Sequence, residues 1–127
     1  MNKYNFNLTK KTAERLKKYP VLSFCVNNFI ENDGTNPAPR RLTPLTVYIR
    51  NLFVFEPDLF DWDDEICEDF CSWGHNSRYA NVLEPMLIVS LDIHISHILD
   101  YLEDFNITEP QTIEYYEAIL QPDTLPN

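Results

Sequence analysis

Glycine is almost absent from this chain, which has two glycines, Gly34 and Gly74, among 127 residues. Glycine-rich phosphate-binding loops and tight β-hairpin turns need glycine, because other residues enter the left-handed backbone region only at a steric cost. The scarcity therefore excludes such loops and argues against repeated β-architecture. At 15.0 kDa and 44% hydrophobic residues, the chain can still bury one core. The sequence predicts one all-α domain over residues 1–127, a single compact bundle of five or six helices with frayed ends at 1–8 and 121–127.

Helix-start residues and apolar residues at intervals of three and four mark the predicted helices. They cover residues 10–19, 21–31, 45–55, 58–73, 85–105 and 108–120. A strand is the alternative for 45–55, which is rich in Val, Ile and Phe, but the Thr43-Pro44 start and the length favour a helix. The last helix is predicted to start with a capping box at Thr108 and Gln111, with Tyr116 facing inward.

The segment 85–105 has the most regular pattern, and residues 88–105 are expected to lie at the centre of the bundle together with residues 45–55. Six of its apolar residues recur at spacings of three and four, which is typical of a seam between packed helices. They are Ile88, Leu91, Ile95, Ile98, Leu102 and Phe105. The predicted core residues of the whole chain are Leu52, Phe53, Ile66, Phe70, Leu91, Ile95, Ile98 and Leu102.

The formal net charge is −10, and it is unevenly distributed along the chain. Residues 1–50 carry nine basic and three acidic residues, whereas residues 51–127 carry 17 acidic residues and one basic residue, Arg78. The basic start could pack against the acidic remainder, but complete pairing would still leave ten negative charges. Such a surface repels nucleic acid and anionic membranes and attracts basic partners. We therefore expect a protein partner, with no direct binding of nucleic acid or membrane.

The three cysteines cannot pair completely, and no secretory leader or bilayer-spanning apolar stretch precedes or interrupts the predicted domain. Both observations favour a reducing, cytoplasmic location. The pattern closest to a metal motif is Cys67-x3-Cys71-x3-His75, to which His94 or His97 could add a ligand. It lacks the two-residue spacing between cysteines that structural zinc sites commonly have. No serine lies on a nucleophile turn, so we expect no metal, no cofactor and no catalysis.

Two segments combine carboxylates with aromatic residues, which suits a partner rich in Lys and Arg. The acidic segment, residues 58–73, contributes Asp61, Asp63, Asp64, Glu65, Glu68 and Asp69. The tyrosine segment, residues 114–117, contributes Glu114, Tyr115, Tyr116 and Glu117. Adjacent helical residues cannot both face the core, so Tyr115 should be exposed if Tyr116 is buried.

The tyrosine segment is similar in kind to the acid-flanked Tyr-Tyr pair of colicin DNase immunity proteins. In size, charge and helix content the chain resembles the immunity proteins of bacterial toxin–immunity systems, including those of contact-dependent growth inhibition. The resemblance implies a cytoplasmic toxin inhibitor that acts by protein–protein interaction with a basic toxin, such as a nuclease domain. The alternative is a phage-type nucleic-acid mimic, an anti-restriction or anti-CRISPR inhibitor, whose carboxylates would follow a long surface instead of one patch.

Overall fold

The computed structural model describes residues 6, 8–38, 42–55 and 78–121. These residues form six α-helices and no strand, which confirms the predicted all-α bundle for this part of the chain. The helices are α1 (Lys10–Leu16), α2 (Pro20–Glu31), α3 (Pro44–Phe55), α4 (Arg78–Val89), α5 (Leu91–Asp104) and α6 (Ile113–Ile119). The predicted helix at 58–73, with Ile66 and Phe70, and the side chain of Phe53 lie outside the described residues.

The first three helices begin where local sequence signals predict. The side chain of Thr9 accepts a hydrogen bond from the backbone N–H of Thr12 at 3.2 Å and caps α1. Pro20 occupies the first position of α2, and Thr43 caps α3 by accepting from the backbone N–H of Thr46 at 3.2 Å. The strand alternative for residues 45–55 is therefore wrong.

Gly34 ends α2 at a position that only glycine fits. Its backbone N–H donates to the carbonyl of Phe29 at 2.8 Å, and that of Asp33 donates to Ile30 at 3.2 Å, which closes the helix as a Schellman motif. Gly34 has a φ of +75°, and a Cβ there would lie 2.6 Å from Cγ1 of Ile88 in α4. Asp33, with φ +53°, is the left-handed residue of the motif itself, and the missing side chain of Gly34 permits a second left-handed residue and the close approach of α4.

Replacing Gly34 by Ala is expected to lower the free energy of unfolding by about 2 kcal/mol or more. The variant has both the cost of an alanine in the left-handed region and the cost of a clash with Ile88. Urea unfolding followed by circular dichroism measures the loss. Asn27→Ala on the exposed face of α2 is the control and should change stability by less than about 0.5 kcal/mol. Equal stabilities of the two variants would contradict the role of Gly34.

The prediction of one helix over 85–105 is wrong, because the chain forms two helices that meet at Ser90. Ser90 leaves the helical region with φ −138° and ψ 53°, and its hydroxyl donates to the carbonyl of Met86 at 3.0 Å. A serine hydroxyl that bonds the carbonyl four residues back competes with the helical pattern. Pro85 does not start this region but lies inside α4.

Packing of α2 against α3 forms the centre of the core, and α6 covers both helices. On the other side α5 packs against α1 and α4. The predicted core residues Leu52, Leu91, Ile95, Ile98 and Leu102 are all buried. Leu99 is also fully buried, although it is not part of the predicted seam. Phe105 is part of that seam but is 63% exposed, so its predicted place in the seam is wrong. α5 ends at Asp104, so Phe105 leaves the helical face that carries the seam.

The start of the chain contributes to this core although residues 1–8 were expected to fray. Phe6 and Leu8 are half-buried and pack against the buried cluster. The ring of Phe6 meets that of Phe29 edge-on with centroids 5.7 Å apart. These two residues extend the core beyond α1.

Candidate protein-binding surface

Helices α1 to α3 have no acidic residue in their first turns, and carboxylates from later in the chain take that place. For α1, Asp92 accepts a hydrogen bond from the backbone N–H of Thr9 at 2.8 Å. For α3, Glu84 accepts from the backbone N–H of Thr43 at 2.9 Å and from the hydroxyl of Thr46 at 2.8 Å. A carboxylate is favourable at a helix start because the unpaired N–H groups carry partial positive charge. Both acids therefore stabilise the fold.

Glu109 accepts hydrogen bonds at the start of α2 and makes more contacts than the other two acids. Its two oxygens accept from the backbone N–H groups of Val21 at 3.2 Å and Leu22 at 2.8 Å, and from the hydroxyl of Tyr48 at 2.8 Å. Burial and the neighbouring Glu109 carboxylate raise the pKa of Tyr48, so its hydroxyl stays protonated and donates. Glu109 thus joins the loop before α6 to α2 and α3.

The predicted capping box at Thr108 and Gln111 is wrong, because α6 begins four residues later than that box requires. Its N-cap is Thr112, whose side chain accepts from the backbone N–H of Tyr115 at 3.2 Å. Gln111, which would close the box, has a φ of +66° and lies outside the helix. The acidic residue of the predicted motif, Glu109, serves α2 instead.

Arg15 in α1 forms ion pairs with two acidic residues of α5. Its Nη2 lies 2.6 Å from Oδ1 of Asp100 and 2.7 Å from Oε1 of Glu103, and its Nε donates to the other oxygen of Glu103 at 3.3 Å. The hydrogen bond from Arg15 lowers the pKa of Glu103. This is the pairing expected of a basic start packed on an acidic remainder.

The carboxylates that hold α1 against α5 should make this contact sensitive to acid. The backbone hydrogen bond from Thr9 lowers the pKa of Asp92, and the Arg15 hydrogen bond lowers that of Glu103. A lowered pKa in the folded state means that the stabilisation is complete above the ordinary carboxylate pKa of about 4 and is lost as the pH falls through the folded value.

We expect the difference in unfolding free energy between the wild type and Asp92→Asn to be constant above about pH 5 and to shrink towards zero in acid. Urea unfolding at a series of pH values measures it. Asp104→Asn, at an exposed position of α5, is the control and should show no such trend. A difference that persists unchanged at low pH would contradict the role of the Asp92 carboxylate.

The two tyrosines of the tyrosine segment differ in burial, although their rings are in contact. Tyr116 is fully buried, as predicted; its hydroxyl donates to the carbonyl of Pro110 at 3.0 Å and accepts from Nδ2 of Asn51 at 3.1 Å. Tyr115 is half-buried and not exposed as predicted, because its ring packs against the core and meets that of Tyr116 edge-on at 4.9 Å. Of the four predicted binding residues here, Tyr116 offers no surface because it belongs to the core.

The surface of the tyrosine segment consists of Glu114, Tyr115 and Glu117. Both glutamates are exposed and stand one helical turn apart on α6. No Lys or Arg follows Arg78 in the sequence, so this surface has no basic residue from its own half of the chain. The surface therefore combines one half-buried aromatic ring with two exposed carboxylates.

A second feature of this side of the protein was not predicted: the loop at residues 105–111. It starts with a Schellman motif, in which the backbone N–H of Ile107 donates to the carbonyl of Leu102 at 3.1 Å and Asn106 has a φ of +50°. The loop lines an open cavity of about 520 Å³ that reaches Leu52. The exposed ring of Phe105 lies at its edge. Its only sequence signal was the interruption of the helical spacing after Phe105.

The acidic segment, with Asp61, Asp63, Asp64, Glu65, Glu68 and Asp69, lies outside the described residues. So do Cys67, Cys71 and His75 of the metal-like pattern. In the part of the chain that the structure describes, no group of three or more His, Cys, Asp or Glu residues could hold a metal ion. Cys25 is buried there, and burial raises the pKa of its thiol, which disfavours the reactive thiolate.

Among the described helices, none is both long enough and apolar enough to cross a membrane. Comparison with known protein families, curated proteins and solved structures finds no match to this chain. Any functional inference therefore starts from the chemistry of the chain's own surface.

Proposed function

We propose that this protein is a cytoplasmic immunity protein that binds and neutralises a basic bacterial toxin domain, a nuclease, and has no enzymatic activity of its own. The observation that carries the proposal is the surface of α6, where Glu114 and Glu117 expose two carboxylates on the helix that also carries the half-buried ring of Tyr115. Aromatic side chains supply contact area at protein interfaces, and carboxylates complement a partner's Lys and Arg. The acidic segment is proposed as the second part of this surface because of its charge density.

The use of the other carboxylates favours an immunity protein over a nucleic-acid mimic. Eleven acidic residues fall within the described ranges, and five of them bind helix starts or Arg15. These five are Glu84, Asp92, Asp100, Glu103 and Glu109. A mimic needs a long row of carboxylates available to a DNA-binding site, whereas engaged carboxylates support the fold and leave smaller acidic patches. This supports recognition through a patch.

Binding through such a surface should proceed in two physical steps. Long-range attraction between the acidic protein and a basic toxin speeds their encounter, and salt screens it. Burial of the aromatic ring then slows dissociation. Association is therefore expected to be at least about tenfold faster at about 50 mM than at about 500 mM salt.

Co-expression tests the proposal directly. Cells that produce the toxin encoded beside this gene should survive when they also produce this protein. A Glu114→Gln/Tyr115→Ala/Glu117→Gln variant should protect less, whereas Glu31→Gln, an exposed acid at the end of α2, should protect fully. Equal death with and without the protein would refute the immunity function. Inhibition of an unrelated DNA-binding nuclease that duplex DNA competes away would instead support the mimic.

A further inference from the structure

The cavity at residues 105–111 has a lining and a charge that suit a basic side chain. It lies between the end of α5 and the start of α6, and its lining includes Leu52, Phe105, Asn106, Glu109 and Gln111. Its volume of about 520 Å³ is comparable with the roughly 300–1,000 Å³ of small-ligand sites. We propose that this cavity receives a lysine or arginine side chain of the protein partner; the identity of that partner rests on the proposed function.

The electrostatics of the cavity favour a cation. The α5 C-terminus, the negative end of the helix dipole, lies at its edge, and the last turn contains the exposed Asp104 besides Glu103, which Arg15 neutralises. Glu109 lines the cavity, and none of the described lining residues is basic. Among the described residues, only Val21 donates a hydrogen bond to its Oε1, and a carboxylate oxygen can accept a further bond from a guest N–H group.

Phe105 supplies a second, independent feature that suits a cation. Its side chain is 63% exposed at the cavity edge although a large apolar residue is normally buried. A guanidinium or ammonium group over an aromatic face gains a cation–π interaction, and the aliphatic stem of Lys or Arg can pack on the same ring.

The cavity is already formed, so binding would not have to order the loop. The Schellman bond from Ile107 to Leu102 fixes one end of the loop, and the 3.0 Å bond from the hydroxyl of Tyr116 to the carbonyl of Pro110 fixes the other. Glu109 holds the middle against α2 through two backbone N–H groups. A preformed site loses less conformational entropy when it binds. Tyr115, one residue from Tyr116 on α6, places the tyrosine segment next to this anchored loop.

The test is an NMR titration of the full chain with Nα-acetyl-arginine amide, with the uncharged isostere Nα-acetyl-citrulline amide as the matched control. We expect saturable shifts of the backbone amides of residues 105–111 with the arginine probe and none with citrulline. Phe105→Ala should weaken the arginine affinity about threefold. Glu31→Gln removes one exposed charge at the end of α2 opposite Glu109 and should leave the affinity unchanged.

Equal shifts with citrulline, or arginine shifts spread over all acidic surfaces, would overturn the cavity proposal. An arginine affinity of Phe105→Ala equal to that of the wild type would also overturn it while leaving the immunity function intact. Conversely, saturable arginine binding without any protection would leave the cation site in place and refute the immunity function. The two proposals can therefore fail separately.

Discussion

Replacing Glu109 by Ala is expected to lower the free energy of unfolding by about 3 kcal/mol, as measured by urea unfolding with circular dichroism. The substitution leaves the backbone N–H groups of Val21 and Leu22 and the hydroxyl of the buried Tyr48 without their acceptor. Each buried donor without a partner costs about 1–3 kcal/mol, and partial access of water to the α2 start reduces the sum. The loss of negative charge at the start of α2 adds to the effect.

Three further variants separate these contributions. Glu109→Gln keeps one neutral acceptor oxygen and should lose less stability than Glu109→Ala. Tyr48→Phe removes one of the three bonds, and its effect should not add to that of Glu109→Ala because both remove the same contact. Glu117→Ala, an exposed acid on α6, should stay within about 0.5 kcal/mol of the wild type. If Glu109→Ala is as mild as Glu117→Ala, the assigned role of Glu109 is wrong.

Helix starts that depend on neighbouring residues could be predicted from the sequence. Thr9, Pro20 and the Thr43-Pro44 pair act through bonds or backbone angles within one turn of the chain, and each marks a helix start in the structure. The break at Ser90 could not be predicted in the same way. Apolar spacing of three continues across it from Ile88 to Leu91, so periodicity alone cannot distinguish two helices from one.

The long-range carboxylate contacts have no local signal at all. Asp92 lies 83 residues from Thr9, and Glu109 lies 87 residues from Leu22. The net charge counts these acids as part of a self-repelling surface. In the structure they accept hydrogen bonds at the starts of helices whose own first turns contain no acidic residue. A charge count therefore overstates the acidic surface available to a partner, since part of the charge neutralises helix starts.

The candidate site also has one part that the sequence could predict and one part that it could not. Helix geometry predicts that the two adjacent tyrosines are not both fully buried, and the buried Tyr116 agrees with this; Tyr115 was predicted to be exposed but is half-buried against the core. The cavity at 105–111 could not be predicted, because it depends on α5 ending at Asp104 and on the left-handed backbone of Asn106 and Gln111. Neither residue is glycine, so the usual sequence marker of such positions is absent.

Replacing Tyr116 by Ala is expected to lower the free energy of unfolding by about 3–5 kcal/mol, because the variant loses a fully buried ring and leaves a cavity. It also leaves the carbonyl of Pro110 and Nδ2 of the buried Asn51 without the hydroxyl that both contact. Tyr116→Phe keeps the ring and should cost about 1–2 kcal/mol, which measures the hydroxyl alone. Thermal and urea unfolding both report these losses.

Tyr115→Ala is the matched contrast on the neighbouring residue of the same helix. Its ring is half-buried and makes no described hydrogen bond through its hydroxyl, so the stability loss should be about 1 kcal/mol. If Tyr115 is the aromatic anchor of the interface, this variant should instead speed dissociation of the partner by about 30-fold, the effect of a hot spot worth about 2 kcal/mol. The roles assigned to the two tyrosines would be reversed if Tyr115→Ala unfolded the protein while Tyr116→Ala stayed folded but did not bind the partner. The two tyrosines thus separate stability from recognition within a single helical turn.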